Sequence, residues 1–169
     1  MAIPLVTIVG KSKSGKTTLI EGLVREIRKR GFRVGTVKHH SHSGFDIDKP
    51  GKDSWRHAQA GSDHVVIAAP DKIAAYRRID RELTLEEIAA VINDVDIILV
   101  EGYKRARMPS IEVIREKRGL ELIADPESCI AVAADTPLST KHTLLDLNDA
   151  VNIADFIIHR FLIPRESSS

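Results

Sequence analysis

One octapeptide near the start of the chain constrains the fold more than any other feature. Gly10-Lys11-Ser12-Lys13-Ser14-Gly15-Lys16-Thr17 matches the pattern G-x-x-x-x-G-K-[ST] at every fixed position. It follows a continuously apolar segment, residues 3–9, and precedes apolar residues that recur at helical spacing. A strand, a glycine-containing loop and a helix in this order direct backbone N–H groups and the positive end of the helix dipole at one point. The octapeptide therefore predicts a loop that cradles a polyphosphate.

The loop assigns chemical roles to particular side chains. Lys16 is expected to reach the β- and γ-phosphates of a nucleotide, and the Thr17 hydroxyl is expected to bind Mg²⁺. Lys11 occupies the position where one class of dimeric proteins with such loops carries a second lysine, which touches phosphate across the subunit interface. A solvated lysine is the alternative interpretation. The predicted nucleotide contacts are Gly10, Lys11, Ser12, Lys13, Ser14, Gly15, Lys16 and Thr17.

A nucleotidase with this loop also needs a carboxylate near Mg²⁺, at the end of a neighbouring apolar strand. Residues 95–100 form such a strand, and Glu101 follows at its carboxyl end, where ligands bind in open α/β sheets. Glu101 is therefore a candidate metal contact and, with Lys16, a candidate catalytic group. A salt bridge between Glu101 and a nearby lysine is the alternative. Asp46 and Asp48, in the polar loop of residues 38–53, are further candidate Mg²⁺ partners.

The rest of the chain alternates strand and helix patterns. Strands are predicted at residues 33–38, 65–69, 73–76, 95–100, 111–114 and 130–133. Helices are predicted after the octapeptide, over residues 54–60, after a capping box of Thr84 with Glu87, and after Asn148 or Asp149. This alternation predicts a three-layer α/β/α domain of the P-loop NTPase type with a mostly parallel sheet. The length of 169 residues suits one domain, residues 1–163, followed by a frayed tail, residues 164–169.

Composition excludes several classes of protein. A net charge of +1 and an aromatic content of 4% argue against a protein that binds nucleic acid through bulk charge or stacking. The longest apolar run is far shorter than a membrane span, so no membrane partner is expected. A single cysteine, Cys129, favours a reducing compartment, and the protein is expected to be cytoplasmic.

Three further groups of residues are candidates for binding. His39, His40, His42, His57 and His64 could hold a transition metal, although their spacing matches no defined metal motif. Lys104, Arg105 and Arg107 follow Glu101 and could receive a second anionic ligand or an acidic partner surface. Asp135 ends a predicted strand where many guanine-binding proteins place a carboxylate that accepts from the base, but no Asn-Lys-x-Asp motif accompanies it.

Distinctive stretches follow one another along nearly the whole chain. Besides residues 10–18 and the strand before them, they are Thr36-Val37-Lys38-His39, residues 46–54 (DIDKPGKDS), residues 97–104 (IILVEGYK), residues 131–135 (AVAAD) and residues 144–149 (LLDLND). In this order they resemble the molybdopterin-guanine dinucleotide biosynthesis protein B family.

The resemblance implies a GTP-binding homodimer that assists the guanylyltransferase attaching GMP to molybdopterin. It implies at most weak, Mg²⁺-dependent GTPase activity, because the transfer chemistry would belong to the partner. Molybdopterin and an apo-molybdoenzyme are further candidate partners. The implied nucleotide site is residues 10–18, which adds Thr18, with Glu101 and the 46–53 loop near the γ-phosphate. Family members can carry other residues at positions 11 and 13, which weakens the case for a cross-subunit role of Lys11.

Two other functions are compatible with the residues. A P-loop small-molecule kinase would use the 39–53 loop to bind a phosphoryl acceptor, although few arginines are placed as in a nucleoside-monophosphate kinase lid. A metallochaperone GTPase would use the histidines between His39 and His64.

Overall fold

A fully parallel sheet of six strands carries the glycine-containing loop. The computed structural model describes residues 3–40, 44–45, 47–104 and 106–162. In chain order the strands are β1 (Leu5–Val9), β2 (Val34–Lys38), β3 (His64–Ala69), β4 (Lys72–Arg77), β5 (Ile97–Glu101), β6 (Ser110–Ile114), β7 (Cys129–Ala134) and β8 (Thr143–Asp146). The large sheet has the order β2-β5-β1-β6-β7-β8, and every neighbouring pair in it is parallel. The predicted α/β fold with a mostly parallel sheet is confirmed.

The described residues divide into two compact units. The first consists of the chain before His40 and after Thr84 and contains the large sheet, whereas the second is His40–Thr84. The prediction of a single domain over residues 1–163 stays a prediction. The predicted tail, residues 164–169, lies outside the described residues.

The central strands are apolar on both faces because both faces of the sheet are covered. In β5, all four residues from Ile97 to Val100 are 0% exposed. The first unit contains the helices α1 (Lys16–Lys29), α3 (Leu85–Ala89) and α4 (Ala150–Phe161), and the second unit contains α2 (Asp53–Gln59). Helix α1 packs on one face of the large sheet. Apolar side chains of α1 and α4, among them Leu23, Ile27, Ile153 and Ile157, form one core with the sheet. Leu85 of α3 packs on the opposite face.

The second unit contains the predicted hairpin. Strands β3 and β4 are antiparallel, with His64 opposite Arg77 and Ala69 opposite Lys72, which confirms the two strands and the turn between them. The Tyr76 hydroxyl of β4 has two acceptors within hydrogen-bond distance of its single hydrogen, the Asp48 carboxylate at 3.0 Å and the carbonyl of Ser54 at 3.2 Å. These contacts connect the hairpin to Asp48, which precedes α2, and to the first turn of α2.

The structure ends one predicted helix earlier than its apolar pattern, selects one of the two predicted caps of α4 and adds one strand. Strand β8 was not predicted, because its four residues are too few to show a periodic pattern. The apolar pattern predicted a helix through Ile92, but α3 ends at Ala89. The residues that follow form turns, with a hydrogen bond from the Ile92 N–H to the carbonyl of Ala89. At α4, Asp149 is the capping residue, since its carboxylate accepts from the N–H of Asn152.

Sequence patterning also missed a buried carboxylate in β6. Glu112 is 1% exposed, and its two carboxylate oxygens accept from the N–H groups of Ile123 and Ala124 at 2.7 and 2.9 Å. These bonds anchor the end of the long connection between β6 and β7. A carboxylate inside a strand is compatible with burial only because backbone donors satisfy it.

None of the helices in the described ranges has the length and apolar character that crossing a membrane requires.

We expect Ile157→Ala to lower the free energy of unfolding by about 2–5 kcal/mol, because it leaves a cavity between α4 and the sheet. Val151→Ala is the matched control, since Val151 belongs to the same helix but is 49% exposed. Urea unfolding monitored by circular dichroism measures both changes. Equal losses in the two variants would contradict the assignment of this helix face to the core.

Candidate functional site

Residues 10–15 of the octapeptide connect β1 to α1, and the shape of this loop depends on two glycines. Gly10 has φ +145°, and a Cβ built on it would lie 2.5 Å from the carbonyl oxygen of Val113 in the neighbouring strand. Gly15, the last residue before α1, has φ +100°. The loop therefore passes close to β6 and turns sharply into the helix, and only glycine fits both requirements at position 10.

Lys16 lies across the inside of this loop. Its ammonium donates hydrogen bonds to the carbonyl oxygens of Gly10 at 3.0 Å and Lys11 at 2.8 Å. Burial lowers the pKa of Lys16, while the Glu101 carboxylate opposes this shift and the charge of Lys38 adds to it. The ammonium is thus partly desolvated, and its hydrogen bonds within the described part of the chain go to neutral oxygens, an arrangement that favours exchange of these bonds for bonds to an anion.

Thr17 and Glu101 meet at the start of α1. The Thr17 hydroxyl lies 3.2 and 3.0 Å from the two carboxylate oxygens of Glu101, whose side chain is 15% exposed. The ammonium of Lys38 lies 2.8 Å from one of these oxygens, so the salt bridge considered as the alternative role of Glu101 is present. A hydroxyl and a carboxylate side by side are hard oxygen donors, the type that Mg²⁺ requires. The predicted pair of metal contacts is therefore brought together, and its chemistry fits this ion.

Lys38 is a residue that sequence analysis did not single out as part of the site. It is paired with Glu101 in the register of β2 and β5, so their side chains meet at the carboxyl edge of the sheet. The available signal was the position of Lys38 at the end of a predicted strand. This position indicates a contact with Glu101 only when β2 is known to lie beside β5, and local sequence patterns do not reveal the order of strands.

Arg115 is a second missed residue, on the other side of the loop. Its Nε donates to the carbonyl of Ser14 at 3.1 Å, and its Nη1 lies 3.4 Å from Oδ2 of Asp135. The other oxygen of Asp135 accepts from the N–H of Glu116 at 2.8 Å. Both oxygens of Asp135 are therefore engaged within the chain. The predicted contact of Asp135 with a guanine base stays a prediction.

The other loop residues line an open groove or contact neighbouring segments. The groove has a volume of about 310 Å³ and is lined by Ser12, Lys13, Gly15, Lys16, Thr17, Thr18 and Glu101. Ser14 is 1% exposed, and its hydroxyl has no hydrogen-bond partner among the described residues. Lys11 forms an ion pair of 3.5 Å with the exposed Glu121 of the same chain. Its predicted role across a subunit interface stays a prediction.

The candidates from the polar loop are placed in the second unit or are not described. Asp48 accepts hydrogen bonds from the Ser54 side chain, from the N–H of Lys49 and from Tyr76, and these bonds lower its pKa. This network ties Asp48 to its own unit, and its predicted role as an Mg²⁺ partner stays a prediction. Asp46, His42 and Arg105 lie outside the described residues.

The predicted histidine cluster is divided between the two units. His39 belongs to the first unit, where its ring lies 4.3 Å from that of Tyr103, whereas His40, His57 and His64 belong to the second. Within the described ranges, His, Cys, Asp and Glu side chains form no group of three suited to a metal ion.

Gly10→Ala is expected to destabilise the protein by at least about 3 kcal/mol, since strain from positive φ is joined by a clash with a backbone carbonyl that cannot move aside. Gly31→Ala is the control, because Gly31 has φ +88° but open space around it, and its expected cost is about 1 kcal/mol. Chemical unfolding of the two variants gives the difference. A cost for Gly10→Ala no larger than for Gly31→Ala would show that the loop does not approach β6 this closely.

Comparison with known proteins assigns the chain to a family. The family model for molybdopterin guanine dinucleotide synthesis protein B matches residues 5–135. A molybdopterin-guanine dinucleotide biosynthesis adapter protein of Haemophilus influenzae is 40% identical over 164 residues, which cover 94% of this chain and 92% of the relative. The adapter protein of the same name from Escherichia coli is 37% identical, with 92% of each chain covered.

Solved structures agree with this relationship. A crystal structure of molybdopterin-guanine biosynthesis protein B has a TM-score of 0.75 at 32% identity and covers 92% of this chain and 99% of that one. The crystal structure of Bacillus subtilis MobB has a TM-score of 0.74 at 26% identity, with 96% of this chain and 99% of that one covered. The chain therefore belongs to the molybdopterin guanine dinucleotide synthesis protein B family.

Proposed function

We propose that the protein is a GTP-binding adapter in the biosynthesis of molybdopterin guanine dinucleotide, where it assists a molybdopterin guanylyltransferase. Relatives that cover nearly the whole chain carry the name of biosynthesis adapter proteins. The observation that carries the nucleotide part of the proposal is the convergence of Lys16, Thr17 and Glu101 on one groove. A cation and a pair of hard oxygen donors beside a glycine-containing loop are the groups that a magnesium-bound triphosphate needs.

Different residues of the groove would bind the metal ion and the phosphates. Thr17 and Glu101 would hold Mg²⁺ directly or through water, and the ion would supply positive charge that offsets the charge of the phosphates. Lys16 would exchange the carbonyls of Gly10 and Lys11 for phosphate oxygens. Since hydrogen bonds between two charged groups are stronger than those to a neutral carbonyl, this exchange favours the bound state. The N–H groups of residues 10–18 would surround the same phosphates.

The adapter role places the transfer of GMP in the partner enzyme. The chain itself would hydrolyse GTP weakly, if at all, and would act through its nucleotide-bound surface. Molybdopterin and an apo-molybdoenzyme are further partners within this proposal, and the protein would work in the cytoplasm.

A homodimer is part of the proposal and is supported by the surface of the second unit. Of the large apolar side chains that are exposed in the described residues, about half belong to His40–Thr84. They are Phe45, Ile47, Val66, Ile67, Ile73 and Ile79. A concentration of such side chains on a small unit is typical of a surface that another protein covers.

Lys16→Ala should weaken Mg²⁺–GTP binding by at least about a hundredfold, because it removes the cation that faces the phosphates. Lys29→Ala removes the same charge from the far end of the same helix and should leave the affinity unchanged. Isothermal titration calorimetry measures both, and thermal unfolding checks that each variant is folded. Normal binding of GTP by folded Lys16→Ala would refute the nucleotide site.

The adapter role is tested by single-turnover assays with and without a molybdopterin guanylyltransferase. We expect the wild-type protein to increase formation of the guanine dinucleotide by the enzyme, and Lys16→Ala to have no such effect. GTP hydrolysis by the protein alone should remain slow. Rapid transfer of the γ-phosphate to a small acceptor in the absence of the partner would instead identify a kinase and overturn the adapter proposal.

A further inference from the structure

The guanidinium of Arg115 touches the glycine-containing loop, residues 10–15, from the side opposite Glu101. Arg115 follows β6 directly, and its Nε donates to the carbonyl of Ser14. Its Nη2 lies 3.0 Å from the place where a Cβ on Gly15 would stand. A side chain at position 15 would crowd the guanidinium, which would have to shift by a few tenths of an ångström. The absence of a side chain on Gly15 lets the guanidinium approach the backbone at the point where the loop enters α1.

Asp135 holds Arg115 in this place. Its Oδ2 faces Nη1 of Arg115, and its Oδ1 is fixed by the N–H of Glu116, so the carboxylate cannot rotate away without losing a backbone bond. The two side chains are 36% and 19% exposed, respectively. With Nε and Nη1 occupied, Nη2 has no hydrogen-bond partner among the residues that the structure describes. The two N–H groups of Nη2 are therefore available to a ligand.

Strand order gives the direction in which a nucleotide would lie. Thr17 and Glu101 meet on the β5 side of β1, whereas Arg115 lies on the β6 side. Because Thr17 and Glu101 would hold the Mg²⁺ that neutralises the terminal phosphates, the γ-phosphate would point towards β5. The α-phosphate and the nucleoside would then extend towards β6 and β7, where Arg115 and Asp135 are found.

We propose that Arg115 is a nucleotide-binding residue that contacts the α-phosphate of GTP, and that Asp135 is a positioning residue that orients its guanidinium. The inference rests on the proposed GTP site and names the group that binds its nucleoside-proximal end. Arg115 serves GTP and GDP alike, because both carry an α-phosphate. It has no part in discriminating the γ-phosphate or in binding Mg²⁺.

The test measures GTP and GDP affinities of Arg115→Gln by calorimetry in the presence of Mg²⁺. We expect both affinities to fall by the same factor, about tenfold or more, because a charge-assisted hydrogen bond to phosphate is lost. The Mg²⁺ concentration for half-maximal binding should not change. Arg115→Lys should recover part of the affinity, since it keeps the charge but not the fork. Asp135→Asn should give an intermediate loss.

Arg118→Gln is the matched control. Arg118 belongs to the short 3₁₀ turn Glu116–Arg118 and is exposed, so the variant removes the same charge from a nearby surface. Its affinity for either nucleotide should stay within about twofold of the wild type. A loss equal to that of Arg115→Gln would attribute the effect to general surface charge and overturn the proposal.

A second measurement separates contact with the nucleotide from bracing of the loop. The two diastereomers of GTPαS differ only in which α-phosphate oxygen is replaced by sulfur, and a directed contact from Arg115 should make the wild type prefer one of them. Arg115→Gln, or Arg115→Lys if the first variant does not fold, should reduce this preference. A variant that weakens both diastereomers equally and keeps the preference would show that Arg115 only braces Ser14.

The two proposals fail in different ways. Failure of the wild-type protein to bind GTP would refute the proposed nucleotide site itself. Binding by the wild type together with unchanged affinity in folded Arg115→Gln would refute only the role of Arg115.

Discussion

The pairing of β1 with neighbours on both sides is the constraint on which the rest of the structure depends. Strand β1 is hydrogen-bonded in parallel to β5 and to β6. The carboxyl ends of the three strands therefore meet at one edge of the sheet, and the residues that follow them are brought together. Glu101 reaches the loop from one side and Arg115 from the other. Because β1 is buried and paired on both sides, the position of the loop that follows it is fixed by the sheet.

The side chains that contact the loop are charged or strongly polar, which explains how a chain of net charge +1 can offer cations at the proposed phosphate site. Lys16 bonds to loop carbonyls, Glu101 accepts from Thr17 and pairs with Lys38, and Arg115 pairs with Asp135. Each carboxylate neutralises a neighbouring cation, so the net charge of the chain stays near zero although several charged side chains meet at the loop. A charged ligand would redistribute these pairs, and the binding energy would come from that exchange.

Much of the fold could be predicted from local patterns. The motif, the apolar strands and the hairpin in residues 65–76 each depend on residues that are close in sequence, and the structure confirms them. Strand β8 escaped notice because four residues carry too little pattern. Glu112 was not noticed because a carboxylate in a buried strand is explained only by the distant N–H groups of Ile123 and Ala124.

The sequence by itself determined the loop: strand, glycines, lysine, threonine and helix are contiguous, so local sterics and the helix end already set their arrangement. It also carried the family relationship that the comparisons establish. Only the tertiary structure decided which distant side chains meet this loop. Thr17 and Glu101 are 84 positions apart, and Arg115 and Ser14 are 101 apart, so their contacts depend on strand order. That order arises when the crossover connections pack on the sheet, a property of the whole core that no local pattern encodes.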